Sequence, residues 1–342
     1  MNIKGFLQDR AAGVSTVGHL LRMHERVESS SFLGCYAYAT QSGAAYFDFK
    51  FGTGFWNAVE TKWLFGLDYG RTHPKALRFI DDKPNTEVRI FDGNWIVNKA
   101  GFMPRRDYHM KAAFMLNEIE HKFAMVSGSG NFSASGLFKN VECGVSLFAP
   151  DQEQYARTFR QSHLASEALW NEATPLLDVL DVYEVAWVEK KVPQPAADEE
   201  PDYAEVDTFW IEAGYVTRNR GHDRPGNQID MPRGMNRFFG FNAPANLPIN
   251  SVIGEITFVT PSDQEVVRNL RLGNNMMEKI TLPIPEDYGF DMYDGKVLVF
   301  RAEGTKHRIW ALEEADFEAA FGDRLAGAKI MNSGRRYGYV DE

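Results

Sequence analysis

Residues 107–136 read DYHMKAAFMLNEIEHKFAMVSGSGNFSASG. An apolar, strand-like run here carries His109 and Lys111 two positions apart. Side chains alternate across a strand, so both are expected on one face, with Met110 and Ala112 on the other. A second run, KFAMVSGSGN, ends in a glycine-rich turn offering Ser129 and Asn131, and a third, VECGVSLF, carries Glu142. Neighbouring strands lie about 4.8 Å apart, which lets these side chains meet at one small site. An imidazole there can attack phosphorus, an ammonium and an amide can hold the non-bridging oxygens, and a carboxylate can orient the imidazole. Such a set suits phosphoryl transfer, with the Ser129 hydroxyl as a helper. A single histidine in a strand is as a rule structural; it is the set that carries the chemistry. Ser127, Ser133 and Ser135 read as turn and helix-cap residues, and His121 as an exposed residue opening the second run.

The elements that must position this set alternate between helical and strand patterns. A helix is expected over 15–28, then a strand in FLGCYAYA. KWLFGLD reads as a buried strand, followed by a short helix in RTHPKALRFI with Thr72 as cap and Pro74 in the first turn. TEVRIF is the next strand, before the three runs already named. Helix-spaced Tyr155, Phe159, Leu164 and Trp170 then mark a helix in DQEQYARTFRQSHLASEALWNEA. The expected architecture is an α/β layered domain.

In order and spacing, His109-Met110-Lys111, then Gly128-Ser129-Gly130-Asn131, then Glu142, the chain resembles the HxK…GSxN signature of the phospholipase D superfamily, with Glu142 at the spacing of its nuclease branch. The likeness covers roughly residues 30 to 170 and includes KWLFGLDYGRTHPKAL. It implies a mixed β-sheet flanked by helices and the catalytic roles named above. Because the superfamily builds its site from two such motifs and this chain has one, it also implies a homodimer in which one His109 attacks and the other protonates the leaving oxygen. One position departs: the fuller signature has an Asp where this chain has Leu116.

The segment KKVPQPAADEEPDYAEVD, rich in proline and acids, reads as a linker over 191–207, dividing a domain of 1–190 from one of 208–342. Its acids suit either a solvated spacer or a phosphate mimic that covers a cationic cleft. Beyond it the pattern changes to short strand-like runs, DTFWIEAGYV, RFFGF, VIGEITFV, EKITLPI and KVLVFRA, with a late helix in EEADFEAAFGDRLAG. An antiparallel barrel or sandwich is expected. Arg218, Arg220, Arg224, Asn227, Gln228, Arg233 and Arg237 cluster within 215–241, and such side chains contact base edges and phosphates. KHRIW and SGRRYGY add basic and aromatic residues of the kind that line nucleic-acid surfaces. The layout resembles the BfiI/NgoFVII-type restriction endonucleases, which implies a B3-like DNA-binding barrel for the second domain.

Composition bounds these expectations. The 342-residue chain has a net charge of −10. Residues 1–150 are net +3, however, with 17 Lys/Arg against 14 Asp/Glu, and the acid concentrates around the linker. Local field, more than the sum, steers a charged ligand. Two cysteines and eight scattered histidines give no metal-ligand spacing, so no metal or other cofactor is expected. No apolar run is long enough to span a membrane, and the N-terminus has no signal-peptide pattern, so a cytoplasmic protein is expected. The sequence thus points to a metal-independent DNA endonuclease acting as a homodimer, in restriction or anti-phage defence. The rivals are a phospholipase D-like lipid phosphodiesterase and a non-catalytic nucleic-acid-binding protein with a degenerate site. A helicase or methyltransferase partner leaves no mark that the sequence can reveal.

Overall fold

The computed structural model describes residues 2–191, 203–221, 223–244, 246–275, 277–331 and 333–341. The chain divides into two compact units, Met1–Lys191 and Val192–Glu342. Most of the expected linker lies outside the described residues, and so does the question of what its acids cover; its tail has one 3-10 turn, Tyr203–Glu205.

In the first unit the elements are β1 (Asn2–Gln8), α1 (Thr16–Val27), β2 (Ser31–Tyr36), α2 (Gln41–Ala58), β3 (Glu60–Phe65), α3 (Pro74–Asp81), β4 (Thr86–Ile90) and the short α4 (Gly93–Ile96). There follow β5 (Lys111–Asn117), β6 (Lys122–Gly128), β7 (Glu142–Ala149), α5 (Gln152–Thr158), α6 (Arg160–Glu172), β8 (Thr174–Pro175) and α7 (Leu180–Lys191). The strands form one mixed sheet in the order β1-β7-β6-β5-β2-β3-β4-β8. β2, β3 and β4 run parallel, and β5 pairs antiparallel to β2, with Tyr36 opposite Lys111 and Ser31 opposite Leu116. Alternation along the strands feeds two cores. Phe32, Trp63, Phe65, Ala113 and Met115 pack with residues of α1, α2, α3 and α7. Leu33, Leu64, Ala112 and Phe114 pack with residues of α5 and α6. Helices therefore cover both faces, as expected for an α/β layered fold.

Local chemistry explains the boundaries. Ser15 caps α1 by accepting from the Gly18 amide at 3.2 Å. The cap of α3 is His73, not Thr72: its Nδ1 accepts from the Lys75 amide at 3.1 Å, with Pro74 in the first turn. Thr72 instead donates to the Gly66 carbonyl and accepts from the Ala39 amide, tying the ends of β2 and β3 together. The helix expected over 151–173 is two helices, broken at Phe159, whose side chain is buried beside Tyr155. Three elements carried no usable sequence signal. β1 exposes Ile3 and Leu7 at the sheet edge, α2 is interrupted by glycines and kinks at Gly52, and α7 alternates apolar and charged residues.

The second unit is mainly β, with β9 (Thr208–Glu212), β10 (Gln228–Met231), β11 (Val252–Val259), β12 (Glu265–Leu272), β13 (Glu278–Thr281), β14 (Val297–Glu303), β15 (Lys306–Leu312), α8 (Glu314–Phe321), β16 (Leu325–Ile330) and β17 (Arg336–Val340). They form a nine-stranded sheet, β10-β13-β12-β11-β15-β14-β9-β17-β16, antiparallel except between β11 and β15. RFFGF is not a strand: a 3-10 turn at Met235–Arg237 leads into a turn that buries Phe238 and Phe239 in the main core. The late helix stops at Phe321, and Leu325–Ile330 joins the sheet instead. Among the described residues, no helix of the chain is long and apolar enough to cross a membrane.

One buried charge in this unit sets a pH dependence. Asp294 is 6 % exposed and accepts from the Val216 amide at 3.0 Å. Burial pushes its carboxyl up to about 6, against the pull of that amide and of Arg218. A carboxyl raised on folding adds stability below its unfolded value near 4, and that stability is lost as pH rises through 6. Asp294→Asn is therefore expected to stabilise the unit at pH 8 by up to about 3 kcal/mol and to have little effect at pH 4. Urea unfolding of the full chain at the two pH values checks this.

Candidate active site

The candidate residues gather at the end of the first sheet where the parallel strands finish. Ligands bind outside the carboxyl ends of such strands, where the strand order switches direction. Here that place is the β5–β2–β3 junction, with β5 entering antiparallel beside β2. Lys111 opens β5, the turn Ser129–Asn131 follows β6, and Glu142 opens β7. Since β5, β6 and β7 are neighbours, all of these lie at one end of the sheet.

His109 is not in the strand, which begins at Lys111; it lies in the extended lead-in. That lead-in is nonetheless tied to the sheet, because the Ala37 amide donates to the Met110 carbonyl at 2.7 Å. Tyr108 anchors it from below: its ring is buried and stacks on Phe91, with 4.7 Å between centroids. His109 itself is exposed, and among the described residues its imidazole has no hydrogen-bond partner. Lys111 is half-buried, and its Nζ donates to the His109 carbonyl at 3.0 Å. Burial holds this ammonium below its ordinary value, while the Glu142 carboxylate works the other way, which sets the two charges near each other.

The glycine-rich turn is shaped by backbone contact. A Cβ on Gly130 would lie 2.3 Å from the Gly136 carbonyl oxygen, and one on Gly136 would lie 2.4 Å from that of Asn131. Only glycine allows the two stretches to touch. From this turn the Ser129 hydroxyl donates to Glu142 Oε2 and accepts from the Cys143 amide at 3.1 Å. Ser129 therefore holds Glu142, a closer role than that of a general helper. The Asn131 amide oxygen is buried and unmet among the described residues. Beside it, through the Ala39–Phe132 bridge, begins α2, where the buried Gln41 amide nitrogen is likewise unmet. Buried polar groups are nearly always paired, so unmet groups here leave valences for a bound molecule.

The sequence assigned the carboxylate that orients His109 to Glu142, whose hydrogen bond goes to Ser129. A second carboxylate went unnoticed. Asp68, just beyond β3, is 7 % exposed, and its Oδ2 accepts from the Tyr108 amide at 2.9 Å. Its Oδ1 is buried without a partner among the described residues. Burial raises its pKa, the Tyr108 amide lowers it, Asp107 raises it and His109 lowers it. The signal available in the sequence was an acid closing a buried apolar strand, KWLFGLD. Leu116, the departure from the motif, is buried at the far end of β5 opposite Ser31 and Phe123, about 17 Å along the strand from Lys111. It takes no part in this site.

No protein-family model matches the sequence, and no curated protein matches it. Among solved structures, the chain is similar to NucT from Helicobacter pylori (16 % identity, 51 % of this chain and 99 % of that one, TM-score 0.33). It is similar also to a phospholipase D family member, Nuc from Salmonella typhimurium (14 %, 51 % and 98 %, TM-score 0.34). A third is phosphatidylserine synthase of Haemophilus influenzae Rd KW20 (12 %, 55 % and 44 %, TM-score 0.34).

In the second unit the seven residues assigned to DNA separate. Asn227 is 4 % exposed; its Nδ2 donates to the Leu282 carbonyl at 2.8 Å and its Oδ1 accepts from Asn219. It fixes a loop and cannot reach a base. Arg220 is bound to Glu286 at 2.7 Å. Gln228 accepts from Arg271 at 3.3 Å on the edge strand β10. Arg218, Arg224, Arg233 and Arg237 are exposed. The arginines of SGRRYGY are not surface residues: Arg335 and Arg336 are buried, Arg336 against Glu212 and Glu314.

The coupling of Asp68 to His109 can be tested directly. His109→Ala is expected to raise the titration midpoint of the Asp68 carboxyl, since it removes a group that lowers it. Carboxyl-carbon NMR reads the shift; an unmoved midpoint would mean that the two groups do not sense each other.

Proposed function

We propose that the chain is a metal-independent phosphodiesterase that cuts DNA as a homodimer. The observation that carries this reading is the gathering of His109, Lys111, Asn131 and Glu142 at one end of three adjacent strands, beside the strand switch point. An unpaired, exposed imidazole on a lead-in braced by Tyr108 suits a nucleophile.

In this reading His109 attacks phosphorus, a P–N bond forms and the P–O bond to the leaving group breaks. The His109 of a second copy gives its proton to the leaving oxygen. Water, deprotonated by that same second imidazole, then attacks the phosphohistidine, releasing the phosphate product and restoring both residues. Lys111 and the amide nitrogen of Asn131 hold the non-bridging oxygens, whose charge grows in the transition state. Glu142, held by Ser129, sets the field around Lys111, and Asp68 does the same for His109. One motif per chain supports the twofold assembly, since each phosphate needs an imidazole on either side. The exposed arginines at 218, 224, 233 and 237 support a role for the second unit in holding DNA, in the manner of a B3-like barrel. A task in restriction or anti-phage defence follows from that pairing of a cutting unit with a DNA-reading one, and a cytoplasmic setting suits it.

His109→Ala is expected to reduce plasmid cleavage by at least about a thousandfold while leaving DNA affinity within a few fold. Cleavage in excess EDTA is expected to match cleavage without it. Loss of activity in EDTA would overturn the metal-independent mechanism. Ser129→Ala is expected to cost less, roughly tenfold in kcat, because it removes the support of Glu142 and no reacting atom.

A further inference from the structure

Three residues before His109, Arg106 faces a cleft of about 450 Å³. Its floor is Phe91, immediately after β4, and Leu169 and Ala173 at the end of α6 form an apolar wall. The Arg106 guanidinium stands 4.7 Å from the centroid of the Phe91 ring. Phe91 is also the residue that stacks on Tyr108, so the cleft floor and the brace of His109 are one packed pair. With about 3.8 Å between successive Cα atoms, Arg106 lies at most about 11 Å from His109.

Arg105 also lines the cleft, and beside it stands Trp95, 38 % exposed, with Lys99 Nζ 3.9 Å and the Arg105 guanidinium 5.1 Å from its ring centroid. Asp92 holds Arg105 along one guanidinium edge, Nε donating at 2.7 Å and Nη2 beside it, so this arginine is oriented in advance. Glu172 adds an exposed acceptor at the wall.

An apolar floor under a guanidinium, next to an exposed indole flanked by two cations, fits a planar base with its own phosphates. Bases stack on aromatic and guanidinium planes, and phosphates take the cations. A duplex keeps its base faces stacked inside, so it cannot offer one to the cleft. On the reading that His109 marks a phosphodiester site, we propose that the Phe91–Arg106 cleft and the adjoining Trp95 bind an unpaired nucleobase beside the scissile phosphate. The first unit then acts on a strand that is locally unpaired, whether a single strand or an opened stretch of plasmid.

The test is equilibrium binding by fluorescence anisotropy with the full chain in a His109→Ala background, which does not depend on whether the chain cleaves. The probes are a twelve-nucleotide single strand, its duplex and an abasic strand of equal charge. Trp95→Ala with Arg106→Ala is expected to weaken single-strand binding about five- to a hundredfold, with at most a few-fold change for the abasic strand. Arg106→Lys, which keeps the charge and loses the plane, is expected to retain only part of the affinity. An equal loss on the abasic strand would reduce the cleft to a charge patch and overturn the proposal, as would unchanged single-strand affinity. Preferential loss of binding to anionic phospholipid vesicles, with the strand unaffected, would do so as well. Variants whose thermal midpoint falls are replaced by Trp95→Gln and Arg106→Gln, judged by the same comparisons. Failure of the phosphodiesterase reading shows separately, as cleavage that survives His109→Ala.

Discussion

The arrangement depends on one pairing: β5 lying antiparallel to β2, with Tyr36 opposite Lys111. That register brings the start of β5 to the end where the parallel strands finish. It also decides which face Lys111 takes, because a slip by one residue would turn the lysine to the opposite face of the sheet. The pairing is held from both sides. Ala112 to Asn117 also pair with β6, from Ser127 back to Lys122. Apolar residues along β5 enter both cores, so either slip would expose one set and bury the other wrongly. The site is therefore specified by packing far from it.

The first unit was largely readable from its sequence, and the reasons are physical. β2, β3, β5 and β6 are short apolar runs bounded by turns, and α1 has a clean cap in Ser15. His109, Lys111, Asn131 and Glu142 stood out because ionisable and amide groups are rare in such runs. Asp68 did not, because an acid at a strand end is commonplace. Its meaning comes from the Tyr108 amide forty residues later and from an oxygen left unmet. The place of Glu142 was legible, but its partner was not, since only coordinates show that Ser129 reaches it first.

The second unit was less legible. Arginine, asparagine and glutamine look alike on paper whether they read a base or pin a loop. Asn227 binds the backbone of Leu282 and the side chain of Asn219, and Arg336 lies within a buried ion network with Glu212 and Glu314. Burial separates the structural members of the cluster from those that could meet a ligand. Arg218, Arg224, Arg233 and Arg237 differ from Asn227 and Arg336 in being exposed.

The edge strand β1 has a consequence for how the protein is made. Asn2 to Gln8 pair with Phe148 back to Glu142, closing a loop of well over a hundred residues. From its end the buried Gln8 amide donates to the carbonyls of Ser135 and Asn140, bracing the segment that follows the glycine-rich turn. Contacts so distant along the chain form late. Residues 2–8 therefore find their place only after the strand bearing Glu142 has been made, and a growing chain carries no finished centre until then.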